Sequence, residues 1–415
     1  MKKSTILLLA IIAVVFSSCG NGGENPEPKI TPKQLVFTSA EEQLQYRTNE
    51  FSMNMLSMIG RDDMKDKNVC FSPLSASMAL GILMNGADGN TLSQMQKALG
   101  FEGLNQADIN TYYHKLIEAL PALDETTIVK IANALWLHEH FPFNPDYQKQ
   151  TREVFAATIE NVADFADKAT LDKINKWASD NTNGLITKVI DETMVNDLTV
   201  MIFANALYFK GIWADEFDKR LTEKIPFTLL SGEKKDVDMM QRFDDLLYCE
   251  NDLAQMVELN YKGDKYAMDL LLPKTDVSMD KLLASLNLDQ WNEYLKQLYH
   301  WDVSLRLPKF KFSYKRNLKD DLVATGISDA FSAGNADFSK LSSRATFLSW
   351  IYQYCSIAVD EEGTEAAAVT IGGVEGASAP LEPKRFYADH PFVFVIREKQ
   401  YGTILFSGVV TNPEY

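Results

Sequence analysis

The spacing of apolar side chains divides the chain into a helical first half and a strand-rich second half. Between residues 40 and 60, Leu44, Phe51, Met55, Leu56 and Met58 recur among polar positions in a helix-like pattern. The stretch NVCFSPLSASMALGILMNGA (68–87) opens on a Ser-Pro turn and continues as an apolar helix, with proline suited to the first helical turn. TLSQMQKALG predicts a short helix stopped by Gly100, and DINTYYHKLIEAL (108–120) one stopped by Pro121. TTIVKIANALWLHE (126–139) is β-branched and apolar and reads as a strand. An amphipathic helix is predicted over 171–184, ending at Asn183-Gly184. The run TVMIFANALYFKGIW (199–213) is almost continuously apolar and predicts a central strand buried on both faces. After it come short apolar runs such as KIPFTLL, KKDVDMM, LLYCE, AQMVELNY, YAMDLLLP and TILFSGVV, with turns at Ser231-Gly232 and Lys262-Gly263-Asp264. No repeat period is found, and no Pro/Gly/Ser-rich linker interrupts the body, so one large α+β unit is expected.

Composition agrees with a packed protein. The 415 residues are 46% apolar and 24% charged, which excludes a disordered or fibrous chain. With 41 Lys+Arg against 57 Asp+Glu the net charge is −16, a surface that repels phosphate backbones, so no nucleic-acid partner is expected. The helix at 108–120 carries only Lys115 and His114 beside Asp108 and Glu118, so no basic patch is expected there. Cys70, Cys249 and Cys355 are widely spaced and form no CxxC pattern; Cys70 and Cys355 lie in apolar runs and are expected as small buried hydrophobes. His138-Glu139-His140 lacks a third ligand and no GxSxG elbow is present, so neither a metal, a cofactor nor hydrolase chemistry is expected.

The first residues have a different character. Lys2 and Lys3 precede an apolar run from Ile6 to Phe16, too short to span ~30 Å of hydrocarbon as a helix, and then Ser17, Ser18 and Cys19. The pattern reads as an export signal over 1–18. The ending Phe-Ser-Ser-Cys resembles a bacterial lipobox, which implies lipidation of Cys19, although Phe16 stands where Leu is commoner; a plain secretory signal is the alternative. Residues 19–37 then form a flexible tether. The expected location is the cell envelope, as a lipoprotein touching the membrane only through its anchor, or the extracellular medium.

One segment fits no regular element. WIYQYCSIAV (350–359) and HPFVFVIRE (390–398) read as strands, and thirty residues separate them. Structureless loops beyond ~15 residues are uncommon and tend to be functional or disordered. In its first half Thr364, Ala366, Ala368, Thr370 and Gly372 occupy every second position. As a strand, it would present one face of small uncharged side chains, as a strand sliding into a packed sheet requires: a charge there would be buried unpaired and a ring would overpack. A low-hydrophobicity linker, with the alternation accidental, fits the same composition.

Five segments, in order, resemble the serpins, and the resemblance covers nearly the whole chain from about Thr38 to Tyr415. NVCFSPLSASMAL resembles the shutter motif, NALYFKGIW (205–213) the central-strand and breach motif, and LPKFKFSYKRNLKDDLVATGISDAF (307–331) the core region. DEEGTEAAAVT (360–370) is similar to the hinge, and FYADHPFVFVIREKQYGTILFSGVVTNP (386–413) to the C-terminal signature. The resemblance implies a serpin domain over 38–415: an α+β fold with a large central mixed β-sheet, helices packed around it, further smaller sheets and an exposed reactive-centre loop at about 360–385. It also implies an inhibitor of serine or cysteine proteases rather than an enzyme, acting as a suicide substrate in a covalent acyl complex. About fifteen inserted residues would carry the cut bond about 50 Å at ~3.3 Å each.

Position by position, the resemblance makes Glu361 and Glu362 the approach to the hinge and Gly363 its bend. Thr364 would be the first side chain to enter the sheet, followed on the same face by Ala366 and Ala368, with Glu365 and Ala367 between them. Trp213 would be the breach tryptophan, and Ser72, Ser75 and Asn205 the shutter. At 353 the family often carries His and this chain has Gln353, whose amide still donates and accepts, without a histidine's pH dependence. Spacing forward from Gly363 puts the scissile bond at Ala377-Ser378; spacing back from His390-Pro391-Phe392 allows Ser378-Ala379. Either bait is small, which suits elastase-like or subtilisin-like enzymes, with Glu375 a cut site for acid-preferring ones. A monomer is expected. A non-inhibitory binding or storage lipoprotein on the same fold is the alternative.

Overall fold

Thr38 starts the first helix: its hydroxyl accepts from the Glu41 backbone and the Glu41 carboxylate accepts from the Thr38 backbone, a reciprocal cap on α1 (Ser39–Asp63). The structure is a computed structural model and describes residues 32–364 and 382–415. Cys19, the predicted export signal, Glu365, Ala366, Ala367, Ala368 and the expected scissile residues Ala377 and Ser378 therefore lie outside the described residues. After β1 (Val69–Phe71), α2 (Pro73–Gly86) is capped by Ser72, carries Pro73 in its first turn and has every residue buried, so it is a helix enclosed on all sides. α3 (Gly89–Ala98) and α4 (Gln106–Ala119) end close to the predicted stops. Gly100 turns at φ 70°, and Pro121 sits in a single 3₁₀ turn.

Next come β2 (Thr127–His138), α5 (Pro145–Phe155), β3 (Thr158–Val162), α6 (Lys168–Asn181) and β4 (Met201–Ile212). β4 departs from the strand expected. Only some of its side chains are buried and the rest are half-buried, because one face lies on the core and the other is covered only in part by α6. The second half contains β5 (Glu223–Thr228), β6 (Lys234–Glu250), β7 (Ala254–Asn260), β8 (Tyr266–Pro273), α7 (Met279–Ser285), α8 (Leu288–Gln297), β9 (Tyr299–Pro308) and β10 (Phe310–Asn317). The chain continues through α9 (Lys319–Ala324), β11 (Tyr352–Val359), β12 (Gly363–Thr364), β13 (Lys384–Tyr387), β14 (Phe392–Glu398) and β15 (Ile404–Val410). Three helices thus interrupt the part read as strands. KKDVDMM and LLYCE, read as two strands, are the two ends of the single 17-residue β6.

Two mixed sheets result among the described residues. The larger runs β1-β15-β14-β8-β7-β6-β9-β13, with β5 also on β6, giving nine strands. Long β6 pairs with β5 near its start, β9 in its middle and β7 at its end, and so fuses what would otherwise be separate small sheets. The other runs β10-β11-β12-β4-β2-β3. In it the two-residue β12 is antiparallel to both neighbours: Thr364 pairs with Val359 on one side and Gly211 on the other. β4 and β11 therefore run parallel across a seam that β12 closes at one end. Among the described residues no rung joins β4 directly to β11. One large apolar core fills the space under both sheets, and a smaller cluster around Trp136 and Ile174 lies beneath α6.

Candidate functional site

The closed end of the seam is built around Asp360, in the turn between β11 and β12. Its carboxylate accepts from the backbone N–H groups of Glu362 (3.0 Å) and Gly363 (3.3 Å), and its own N–H donates to the Gly363 carbonyl (3.0 Å). This turn aims Gly363 at the backbone of β4. A side chain at 363 is excluded, since its Cβ would fall 2.1 Å from the Gly211 carbonyl oxygen. Gly211 is equally constrained, with the Tyr261 ring occupying the place of a Cβ.

Trp213 holds the turn from below. Its indole N–H donates to the Asp360 carbonyl (3.0 Å), its backbone N–H donates to Glu362 (3.0 Å), and its ring stacks on Tyr261 at 4.7 Å. The hydroxyl of fully buried Tyr261 meets the Thr364 hydroxyl at 2.7 Å, so the Thr364 side chain points into the core. Glu361 and Glu362 are held by separate cations. The Glu361 carboxylate receives Lys309 (2.9 Å) and the Thr222 hydroxyl (2.7 Å), while Glu362 pairs with Lys219. Burial pushes the Glu361 pKa up, but the hydrogen bonds from Lys309 and Thr222 outweigh it and leave the carboxyl below its usual range. Tyr415 completes the cluster by donating to the other Asp360 oxygen (2.7 Å), with Lys309 over its ring.

Midway along the seam, the N-terminus of α2 touches both strands. Gln353 of β11 uses both ends of its amide on Ser72, accepting from its N–H (3.1 Å) and donating to its carbonyl (2.7 Å). The Ser72 hydroxyl accepts from the Ser75 N–H (3.1 Å), and the Ser75 hydroxyl donates to Asn205 of β4. From Asn205 the chain of amides runs to Asn133 in β2 (2.7 Å) and on to the Phe155 carbonyl (2.9 Å). Level with this contact, a small apolar cavity lies under α6, lined by Phe203 and Asn205 of β4, by Tyr352 and Tyr354 of β11, and by Trp177.

The residues expected at hinge, breach and shutter thus fall at two stations of one seam, apart from those outside the described residues. Sequence reasoning missed Lys309, Thr222, Lys219, Tyr261 and Asn133. Asn133 carried a signal, as a lone amide inside the apolar run IVKIANALWL, where a buried polar group must have a partner. The others are ordinary strand-end or loop residues whose role comes only from long-range pairing.

Comparison with known proteins agrees with this geometry. A family model described as Serpin (serine protease inhibitor) matches residues 46–413. An uncharacterized serpin-like protein of Methanosarcina acetivorans is 32% identical over 417 residues, covering 99% of this chain and 96% of its own length. The leukocyte elastase inhibitor of Equus caballus is 33% identical over 383 residues, covering 90% of this chain and 100% of its own. Among solved structures, the thermophilic serpin tengpin in its native state matches with a TM-score of 0.82 at 30% identity, covering 93% of this chain and 97% of that one. Fold, seam and likenesses lead to one conclusion: the chain belongs to the serpin family.

Proposed function

We propose that the chain is a suicide inhibitor of serine-type endopeptidases, in which cleavage beyond Thr364 lets the freed chain continue down the seam as a new strand. The observation that carries this reading is β12. A two-residue strand already hydrogen-bonded to β4 and β11 supplies the register, and a chain extended from Thr364 runs antiparallel to both strands toward the cavity under α6. With a period of two, Ala366 and Ala368 would follow Thr364 to the buried side, where small side chains fit. At ~1 kcal/mol net per hydrogen bond, the added ladder supplies on the order of 10 kcal/mol before burial is counted. In this reading the two contacts of α2 hold the seam until cleavage, and Trp213, Tyr261 and Glu361 anchor its closed end.

The target class is read from the bait. Ala377-Ser378 offers a small side chain to a shallow pocket, which favours elastase-like and subtilisin-like enzymes, and an elastase inhibitor among the relatives supports the same class. Incubation with pancreatic elastase and with subtilisin tests it. The expected product is an SDS-resistant band at the summed mass, with the released C-terminal fragment beginning at Ser378 or Ala379. Loop cleavage by both enzymes without a stable complex would overturn inhibition and favour a binding or storage role.

A further inference from the structure

Cys70 and Cys355 lie 285 residues apart in the chain, and the fold brings their Sγ atoms to 3.0 Å. Cys70 belongs to β1, two residues before the α2 cap Ser72; Cys355 belongs to β11, two residues after Gln353. The Gln353 amide is closed on the Ser72 backbone in both directions, so the sulfurs form the next rung of that contact. Both side chains are buried, and both strands are fixed by ladders on β15 and β10. A disulfide requires an S–S distance of about 2.05 Å, roughly 1 Å closer than the sulfurs stand.

We propose that Cys70 and Cys355 are a modification site that closes to a disulfide, stapling β11 to β1 just ahead of α2. The reaction is exchange with a small-molecule disulfide such as oxidised glutathione. One cysteine thiolate attacks the disulfide, forming a mixed disulfide and releasing one thiol. The second thiolate attacks the protein sulfur of that mixed disulfide and releases the other. The pair loses two electrons and two protons, and one molecule of disulfide becomes two thiols. Burial and the facing sulfur hold the Cys70 thiol well above its ordinary pKa, so exchange belongs to folding or to transient parting of β1 and β11.

The consequence for the seam rests on the function proposed above. β11 is tied to α2 by two bonds from Gln353 to backbone groups, and β4 by one side-chain bond, Ser75 to Asn205. A staple on the β11 side anchors the more firmly held strand and leaves the β4 side free to move. Cys249 is buried elsewhere against the Tyr294 carbonyl and takes no part.

The test folds the full chain in a glutathione buffer rich in the oxidised form, then denatures it with an alkylating reagent and no reductant. Peptide mass mapping should find the Cys70 and Cys355 peptides linked, lighter by two hydrogens than the free pair and separated by reductant, with Cys249 alkylated. Alkylation of both Cys70 and Cys355, or glutathione retained on either one, overturns the proposal. The linked protein should melt several degrees above its reduced form. Cys355→Ala should melt alike in both buffers. Equal melting of the linked and reduced wild-type protein overturns the staple. Trapping stoichiometry should be the same in both redox states. Its loss only in the linked state overturns the assignment to the anchored side, whereas its absence in both states counts against the inhibitory reading and leaves the mapped bond standing.

Discussion

Glu361 is an acid almost wholly withdrawn from water that stays ionised because Lys309 and Thr222 reach it. Lys309→Met leaves that carboxylate without its cation and should cost about 2 kcal/mol in denaturant unfolding, less when combined with Glu361→Gln. A carboxyl depressed in the fold contributes stability above its ordinary value of 4.5, and the contribution is lost as pH falls through the lower folded value. Melting followed from pH 6 down to pH 3 should therefore fall more steeply in wild type than in Glu361→Gln. His390 has the opposite sign. Burial lowers its pKa, but the Asp389 carboxylate at 2.8 Å and the Pro273 carbonyl at 3.0 Å outweigh that and raise it above 6.5. Its contribution is complete below pH 6.5 and fades as pH rises through the raised value, so His390→Gln should cost more stability at pH 6 than at pH 9.

Among the described elements, two-residue β12 is the smallest, and it closes one end of the seam. Thr364 sits at its end with its side chain already in the core of the intact fold, so Thr364→Arg either buries an unpaired guanidinium or expels β12 from the seam, and it opposes strand extension either way. The variant should be cut by elastase as fast as wild type yet form little stable complex on a denaturing gel; trapping at wild-type stoichiometry would remove Thr364 from the hinge. At this scale much was legible. α2 announced itself through Ser72, Pro73 and an unbroken apolar run, and α6 through its amphipathic pattern and the Asn183-Gly184 stop, all local signals. α7 and α8 were lost among strand-like neighbours, though Met279, Leu282 and Leu283 in the first, and Leu288, Trp291 and Leu295 in the second, stand at helical spacing. The burial of β4 was misread because a continuous apolar run does not reveal which neighbour is missing. Gln353 and Ser72 were singled out separately, but their reciprocal bond, like the Tyr261–Thr364 contact, joins elements that no local pattern relates.

For the molecule as a whole, the proposed reaction requires the intact fold to be the less stable one. Cleavage between Thr364 and Lys384, followed by strand addition, should raise the melting temperature by at least ~10 °C, read by circular dichroism at a fixed scan rate because unfolding on this scale is often irreversible. A clipped chain that melts with the intact one would show that no strand was added. The order of synthesis adds a further consequence of the Ser72–Gln353 contact, whose partners are 281 residues apart. A ribosome delivers β4 and its unpaired flank long before β11 emerges, and β1 waits longer still for β15, since Val69 pairs with Val409. The nascent chain therefore carries a bare strand edge through most of its translation, when edge-to-edge association with other nascent chains is hardest to prevent. Chains stopped near residue 350 should aggregate where full-length chains remain dispersed, and a chaperone that covers that edge should rescue them.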